Sequence, residues 1–61
     1  MPLTGKEMLK LAKKHGWLMV RINGSHHIMV KEGHLPVSIP VHNKDLKIGT
    51  EQKILKDLGL N

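Results

Sequence analysis

Cysteine is absent from this chain of 61 residues, which excludes a disulfide scaffold, a thiolate zinc site and a cysteine nucleophile. Phenylalanine and tyrosine are absent too, and Trp17 is the single aromatic residue. No apolar run approaches the roughly 20 residues that a membrane-spanning helix needs. The first residues lack the basic-then-apolar layout of a signal peptide, so we expect a cytoplasmic protein.

Acidic residues are scarce, with five Asp and Glu against ten Lys and Arg, which gives a net charge of +5. A small domain with this charge is attracted to phosphate backbones, acidic proteins or anionic membranes, and charge alone does not choose among them. At this length we expect residues 1–61 to form one domain with a small hydrophobic core.

Residues 5–15 are predicted to form the first helix. Thr4 and Glu7 have the spacing of a capping box, in which each residue bonds the backbone N–H of the other. Met8 and Ala12 then follow on one helical face. These signals predict an amphipathic helix whose apolar side packs on a core.

Three short runs of mostly apolar residues are predicted as strands, at residues 17–22, 26–31 and 36–40. Residues 23–25, Asn-Gly-Ser, are a hairpin turn signal. Prolines bracket the third run and cannot donate a backbone hydrogen bond to a neighbouring strand, so they indicate either an edge strand or the two ends of a strand. The runs predict an antiparallel meander.

A second helix is predicted near the C-terminal end, after a loop over residues 41–49. Thr50 is predicted as its N-cap, and Ile54, Leu55 and Leu58 form its apolar stripe. The order helix, three strands, helix predicts an α+β fold in which both helices cover one face of a three-stranded antiparallel sheet.

Five histidines are the side chains whose unperturbed pKa lies near neutrality. His26 and His27 are neighbours in a predicted strand, so one should face the helices and the other solvent; periodicity leaves open which is which, and either could be catalytic. His15 is expected to interact with the last carbonyls of the first helix. His34, in a turn, is expected to have no specific role.

No metal site is predicted from the histidines. The adjacent pair cannot easily hold one ion because its side chains diverge, and the chain has no His-Glu-x-x-His spacing. His42, in a loop beside Lys44, is suited to phosphate contact or to support of a reacting group, unless it is simply an exposed loop residue. Gly24 and Ser25 form a turn whose backbone N–H groups can hold a phosphate.

Several short motifs resemble, in their order and spacing, those of the HicA toxins, which are small mRNA endoribonucleases of bacterial and archaeal toxin–antitoxin pairs. The motifs are KKHGW (residues 13–17), VR (20–21), GSHH (24–27), PVHNKDL (40–46), IGT (48–50) and ILKDLGL (54–60). Each motif is weak alone, and together they span nearly the whole chain.

The resemblance implies a fold like that of a double-stranded-RNA-binding domain and cleavage of mRNA without a metal or other cofactor. It implies a single catalytic histidine in the Gly-Ser-His element, which is His26 here, with His27 ranked second. It also implies control by a HicB-type antitoxin. An imidazole can take the proton of a ribose 2′-hydroxyl at neutral pH. Cations that could stabilise the resulting phosphorane are Arg21, Lys31 and Lys44.

Two other functions fit the same residues. The first is a non-catalytic RNA-binding module with the same fold, which would bind RNA in a salt-dependent way without cleaving it. The second is a protein-interaction domain whose basic surface docks an acidic partner.

Overall fold

The computed structural model describes residues 3–60, which form two helices and one antiparallel sheet. In chain order the elements are α1 (Gly5–Lys14), β1 (Leu18–Asn23), β2 (His26–Val30), β3 (Val37–Pro40) and α2 (Ile48–Asp57). The predicted α+β class and order of elements are confirmed, whereas the likeness to a double-stranded-RNA-binding domain stays a prediction. Within these residues, neither helix is long and apolar enough to cross a membrane.

Helix α1 begins where the capping box predicts. The Thr4 hydroxyl accepts from the Glu7 N–H at 3.2 Å, and the Glu7 carboxylate accepts from the Thr4 N–H at 2.9 Å. Met8 and Ala12 are fully buried on the inner face of the helix. The helix ends at Lys14, one residue before the predicted end.

The three strands lie in the order β1-β2-β3, so β2 is central. Gly24 has φ 63, the left-handed conformation that a tight hairpin turn requires and that glycine adopts without strain. This turn places His26 at the start of β2, opposite Asn23 of β1 and Pro40 of β3. The β1–β2 register shifts between Met19 and Arg21, which is a β-bulge.

The two faces of the sheet differ in burial. In the β2–β3 ladder Met29 lies opposite Val37, and His27 lies opposite Ile39. Directly opposed residues point to the same face, and Met29 and Ile39 are both fully buried, so this is the core face. His26 precedes His27 in the strand and therefore points to the opposite, outer face, where it is exposed.

The predicted start of the second helix at Thr50 is wrong. Helix α2 begins at Ile48, with Lys47 as an N-cap of extended backbone whose side chain makes no cap hydrogen bond to the described residues. The Lys47 carbonyl accepts from the Glu51 N–H at 2.8 Å, so Thr50 lies inside the first turn. Since lysine gives no side-chain capping signal, the sequence pattern points to the next residue that does.

The hydrophobic core fills the space between the inner face of the sheet and the two helices. Its buried side chains are those of Met8, Ala12, Trp17, Met29, Val37, Ile39, Leu46, Ile54 and Leu58. Two of the three residues predicted as the apolar stripe of the second helix, Ile54 and Leu58, belong to this core, and Leu55 is half-buried against it.

Leu3, just before α1, is hydrogen-bonded to residues in the second half of the chain. The Leu3 N–H donates to the carboxylate of Glu51 at 2.9 Å, and the Leu3 carbonyl accepts from the Leu46 N–H at 2.7 Å. Glu51 is buried, although charged residues seldom are unless they are paired or hydrogen-bonded. A Cβ atom on Gly5 would overlap the Pro40 carbonyl oxygen, so the start of α1 can approach the end of β3 only with glycine there.

Candidate active site

The exposed imidazole of His26 is the centre of the candidate site. Its Nδ1 lies 3.1 Å from the hydroxyl oxygen of Ser38, which is on the neighbouring strand β3. In the ladder His26 lies opposite Pro40 and Ser38 lies opposite Ile28, so the contact runs diagonally across the outer face. When Nδ1 carries the ring proton it donates to the serine oxygen, and the lone pair of Nε2 is then free to accept a proton.

A shallow groove of about 360 Å³ lies between β3 and α2 and contains this pair. Its walls are formed by His26, Pro36, Val37, Ser38, Pro40, Thr50, Lys53, Ile54 and Asp57. Thr50, Lys53 and Asp57 are spaced so that they lie along one side of α2. Among the described residues that line the groove, Lys53 is the only lysine or arginine, so it supplies a permanent positive charge on the wall formed by α2.

A second groove adjoins the first. It is lined by Pro40, His42, Lys44, Asp45, Leu46, Lys47 and Thr50, and it shares Pro40 and Thr50 with the groove around His26. The structure therefore brings two predicted residues, His42 and Lys44, close to the candidate site, and adds Lys47. All three side chains are exposed.

The other two predicted cations lie elsewhere. Arg21 is opposite Ile28 in the β1–β2 ladder, which puts it on the same outer face as His26 but on the far side of β2 from the groove. Lys31 directly follows the last residue of β2, whereas His26 is the first. Five residues of strand correspond to about 16 Å, so Lys31 lies at the opposite end of β2, outside both grooves.

His27 and the preceding turn support the site without lining it. The His27 ring is half-buried on the core face, with Nδ1 3.3 Å from the Ser25 carbonyl oxygen. The same carbonyl accepts from the Val41 N–H at 2.8 Å, which ties the turn to the end of β3. Gly24 and Ser25 therefore hold the start of β2 in place through their backbone, and His26 and His27 point apart.

The two remaining histidines are outside the grooves. His15 is exposed, and its backbone N–H donates to the Ala12 carbonyl at 3.0 Å, a bond that does not involve the ring. The predicted interaction of the His15 imidazole with the end of α1 stays a prediction. The ring of His34 packs on Trp17 with centroids 5.3 Å apart and an angle of 55° between the planes. His34 therefore covers the edge of the core, a role that its position in a turn did not indicate.

In residues 3–60, no group of three or more His, Asp or Glu side chains is arranged to hold a metal ion. The polar groups that do converge in the groove are an imidazole, two hydroxyls, the ammonium group of Lys53 and the carboxylate of Asp57. An imidazole with a free nitrogen can take a proton from a hydroxyl, and a nearby ammonium can stabilise negative charge that develops as a result.

Sequence reasoning missed four polar residues of the groove, namely Ser38, Thr50, Lys53 and Asp57. Each is separated from His26 by at least 12 positions, and the contact depends on how β3 pairs with β2 and on where α2 packs. Strand alternation puts Ser38 on the same face as Pro36 and Pro40, but it does not indicate a contact with His26.

Comparison with known proteins identifies the family. The sequence matches the model of the HicA toxin of bacterial toxin–antitoxin pairs over residues 5–60. The chain belongs to the HicA toxin family. A chain from a solved toxin–antitoxin complex of Streptococcus pneumoniae is similar to this HicA-family chain, with 43% identity and a TM-score of 0.85. The likeness covers 97% of this chain and 100% of the other. None of the curated proteins compared matches the sequence.

Proposed function

We propose that this HicA-family chain is an endoribonuclease toxin that cleaves mRNA with His26 as the general base. The observation that carries the proposal is the position of His26, which is exposed in a groove, lies 3.1 Å from the Ser38 hydroxyl and shares the groove with Lys53. Membership of a toxin family supports the same conclusion. A substrate of this kind is met in the cytoplasm, where we expect the protein to act.

The proposed reaction uses the ribose of the substrate as the nucleophile. Nε2 of His26 takes the proton of the 2′-hydroxyl, and the 2′ oxygen attacks the adjacent phosphorus. The bond from phosphorus to the 5′ oxygen breaks, which leaves a 2′,3′-cyclic phosphate on one product. The departing 5′ oxygen takes a proton from water. No metal enters these steps, and His26 and His27 point apart and so do not bind one ion together.

Three lysines and two aspartates, Asp57 and Asp45, line the two grooves, so the grooves offer ammonium groups to a phosphate backbone and carry a small net positive charge. Lys53 lies in the groove of His26, and Lys44 and Lys47 lie in the adjoining one. A strand of RNA that passes from one groove to the other would meet these ammonium groups in turn, with His42 beside them. Lys53 is best placed to stabilise the charge on the phosphorane, while Arg21 can contact RNA that extends across the outer face of the sheet.

We also propose that a HicB-type antitoxin inhibits this toxin by covering the groove of His26. The support is the likeness to a chain of a toxin–antitoxin complex and the net charge of +5, which favours an acidic partner. A small acidic protein encoded next to this chain is the candidate. At an equimolar ratio it should stop RNA cleavage, and a protein that binds without slowing cleavage would not be the antitoxin.

The decisive experiment compares RNA cleavage by the wild type, His26→Ala and His15→Ala. Loss of the general base should lower the rate at least about 100-fold. His15 is exposed and outside both grooves, so its variant controls for the loss of an imidazole. EDTA should leave all three rates unchanged. If His26→Ala cleaves as fast as the wild type, the proposal is wrong; inhibition by EDTA would contradict the metal-free mechanism.

A non-catalytic RNA-binding module remains the second candidate, because the lysines of the two grooves would bind RNA equally well without chemistry. It predicts an RNA affinity that falls steeply with salt, and an RNA that stays intact with both the wild type and His26→Ala. The cleavage assay above therefore separates the two functions directly.

A further inference from the structure

We infer that Ser38 is a positioning residue, which orients the His26 ring and accepts a hydrogen bond from Nδ1 while Nε2 takes the proton from RNA. The inference rests on the proposed function of His26 and extends it to a residue on a different strand. The geometry behind it is the distance of 3.1 Å between Nδ1 and the serine oxygen.

The backbone around Ser38 is held firmly, although its side chain is exposed. Its two neighbours in β3 are buried in the core, Val37 at 6% exposure and Ile39 at 0%. Successive strand residues alternate between faces, so these anchors direct the Ser38 hydroxyl outward. His26, by contrast, is an exposed side chain that follows a turn, and a hydrogen bond from a fixed strand restricts the rotation of its ring.

The Ser38 hydroxyl can accept the hydrogen bond that Nδ1 of His26 has to donate in the proposed reaction. In the proposed reaction Nε2 is the base and must have a free lone pair; the neutral ring then carries its proton on Nδ1, which donates to the serine oxygen. When Nε2 takes the second proton the ring becomes cationic, and the same Nδ1–H bond becomes charge-assisted and therefore stronger. An interaction that strengthens towards the transition state accelerates the chemical step without tightening substrate binding.

The test measures kcat and KM of RNA cleavage for the wild type, Ser38→Ala and Ser38→Thr. Removal of the hydroxyl should lower kcat roughly tenfold and leave KM unchanged, while threonine, which keeps the hydroxyl, should stay close to the wild type. In a His26→Ala background, Ser38→Ala should cause no further loss. Thermal unfolding of each variant controls for folding, and an exposed position makes a large effect on stability unexpected.

A second measurement tests the hydrogen bond between His26 and Ser38 directly. In NMR spectra of the protonated His26 ring, the Nδ1–H proton should exchange with solvent more slowly in the wild type than in Ser38→Ala. The role of Ser38 is overturned if Ser38→Ala has the kcat of the wild type, if Ser38→Thr is as impaired as Ser38→Ala, or if the loss is entirely in KM. An active wild type with any of these results overturns only this inference, whereas a wild type that cleaves no RNA overturns the proposed function with it.

Discussion

The two edge strands of the sheet, β1 and β3, differ in how much of their surface is buried by the helices. In β3 buried and exposed residues alternate, and α2 lies beside it to form a groove. In β1 all six residues are exposed, among them Leu18 at 67%, Val20 at 58% and Ile22 at 53%. The candidate site lies on the edge that packs against both helices, and the apolar surface lies on the edge that packs mainly against α1. An open apolar edge of this kind can pair with another chain.

The largest expected difference between β3 and β1 is in the stability that is lost when an isoleucine is truncated. Ile39→Ala in β3 removes a fully buried side chain from the core and should lower the free energy of unfolding by about 2–5 kcal/mol. Ile22→Ala in β1 is the same substitution at a half-exposed position and should cost about 1 kcal/mol or less. Urea denaturation of both variants measures this difference. Equal losses of unfolding free energy would mean that β1 and β3 contribute equally to stability.

A smaller effect is expected where α1 meets the end of β3. Gly5→Ala places a methyl group against the Pro40 carbonyl oxygen and should lower the free energy of unfolding by about 1–3 kcal/mol, because backbone atoms must move apart. Gly49→Ala, in the first turn of α2, meets no atom within 4 Å and should be neutral or slightly stabilising. Should Gly49→Ala prove the more harmful of the two, the close approach of α1 to β3 would be incorrect.

The smallest expected effect is on RNA affinity, and it comes from the charge of Lys53 in the groove beside β3. Lys53→Gln removes one ammonium group from the groove and should weaken RNA binding uniformly across sequences, with the slope of log affinity against log salt reduced by about 1. Lys56→Gln, on the same helix but outside both grooves, is the matched control and should change the slope less. RNA affinities measured over a range of salt concentrations check this. Equal salt slopes for the two variants would mean that Lys53 does not contact the RNA.

The sequence predicted those parts of the fold that depend on neighbours in the chain. Thr4 and Glu7 are three positions apart and form their capping box as predicted, and the Asn-Gly turn before His26 reverses the chain where expected. The start of α2 was misplaced because Lys47 is an N-cap without a capping side chain. Local signals therefore determined the boundaries well where a side chain bonds the backbone nearby or where a glycine allows a tight turn.

The candidate site was predictable only in part. The resemblance to a family indicated His26, and strand alternation indicated that His26 and His27 point apart. Ser38 and Lys53 reach the same groove only through the β2–β3 register and the packing of α2, which no short-range pattern encodes. Lys31 and His26, by contrast, are at the two ends of the strand that was predicted over residues 26–31, so their separation follows from the rise along one strand and was within reach of the sequence.

Trp17 gives the molecule a built-in optical reporter. It is the single aromatic residue of phenylalanine, tyrosine and tryptophan type, it is 1% exposed, and it lies in the link between α1 and β1 under the ring of His34. Because it lines neither groove, its emission reports the integrity of the interior without direct interference from bound nucleic acid. Fluorescence can therefore separate a variant that has lost its fold from one that has lost only its chemistry.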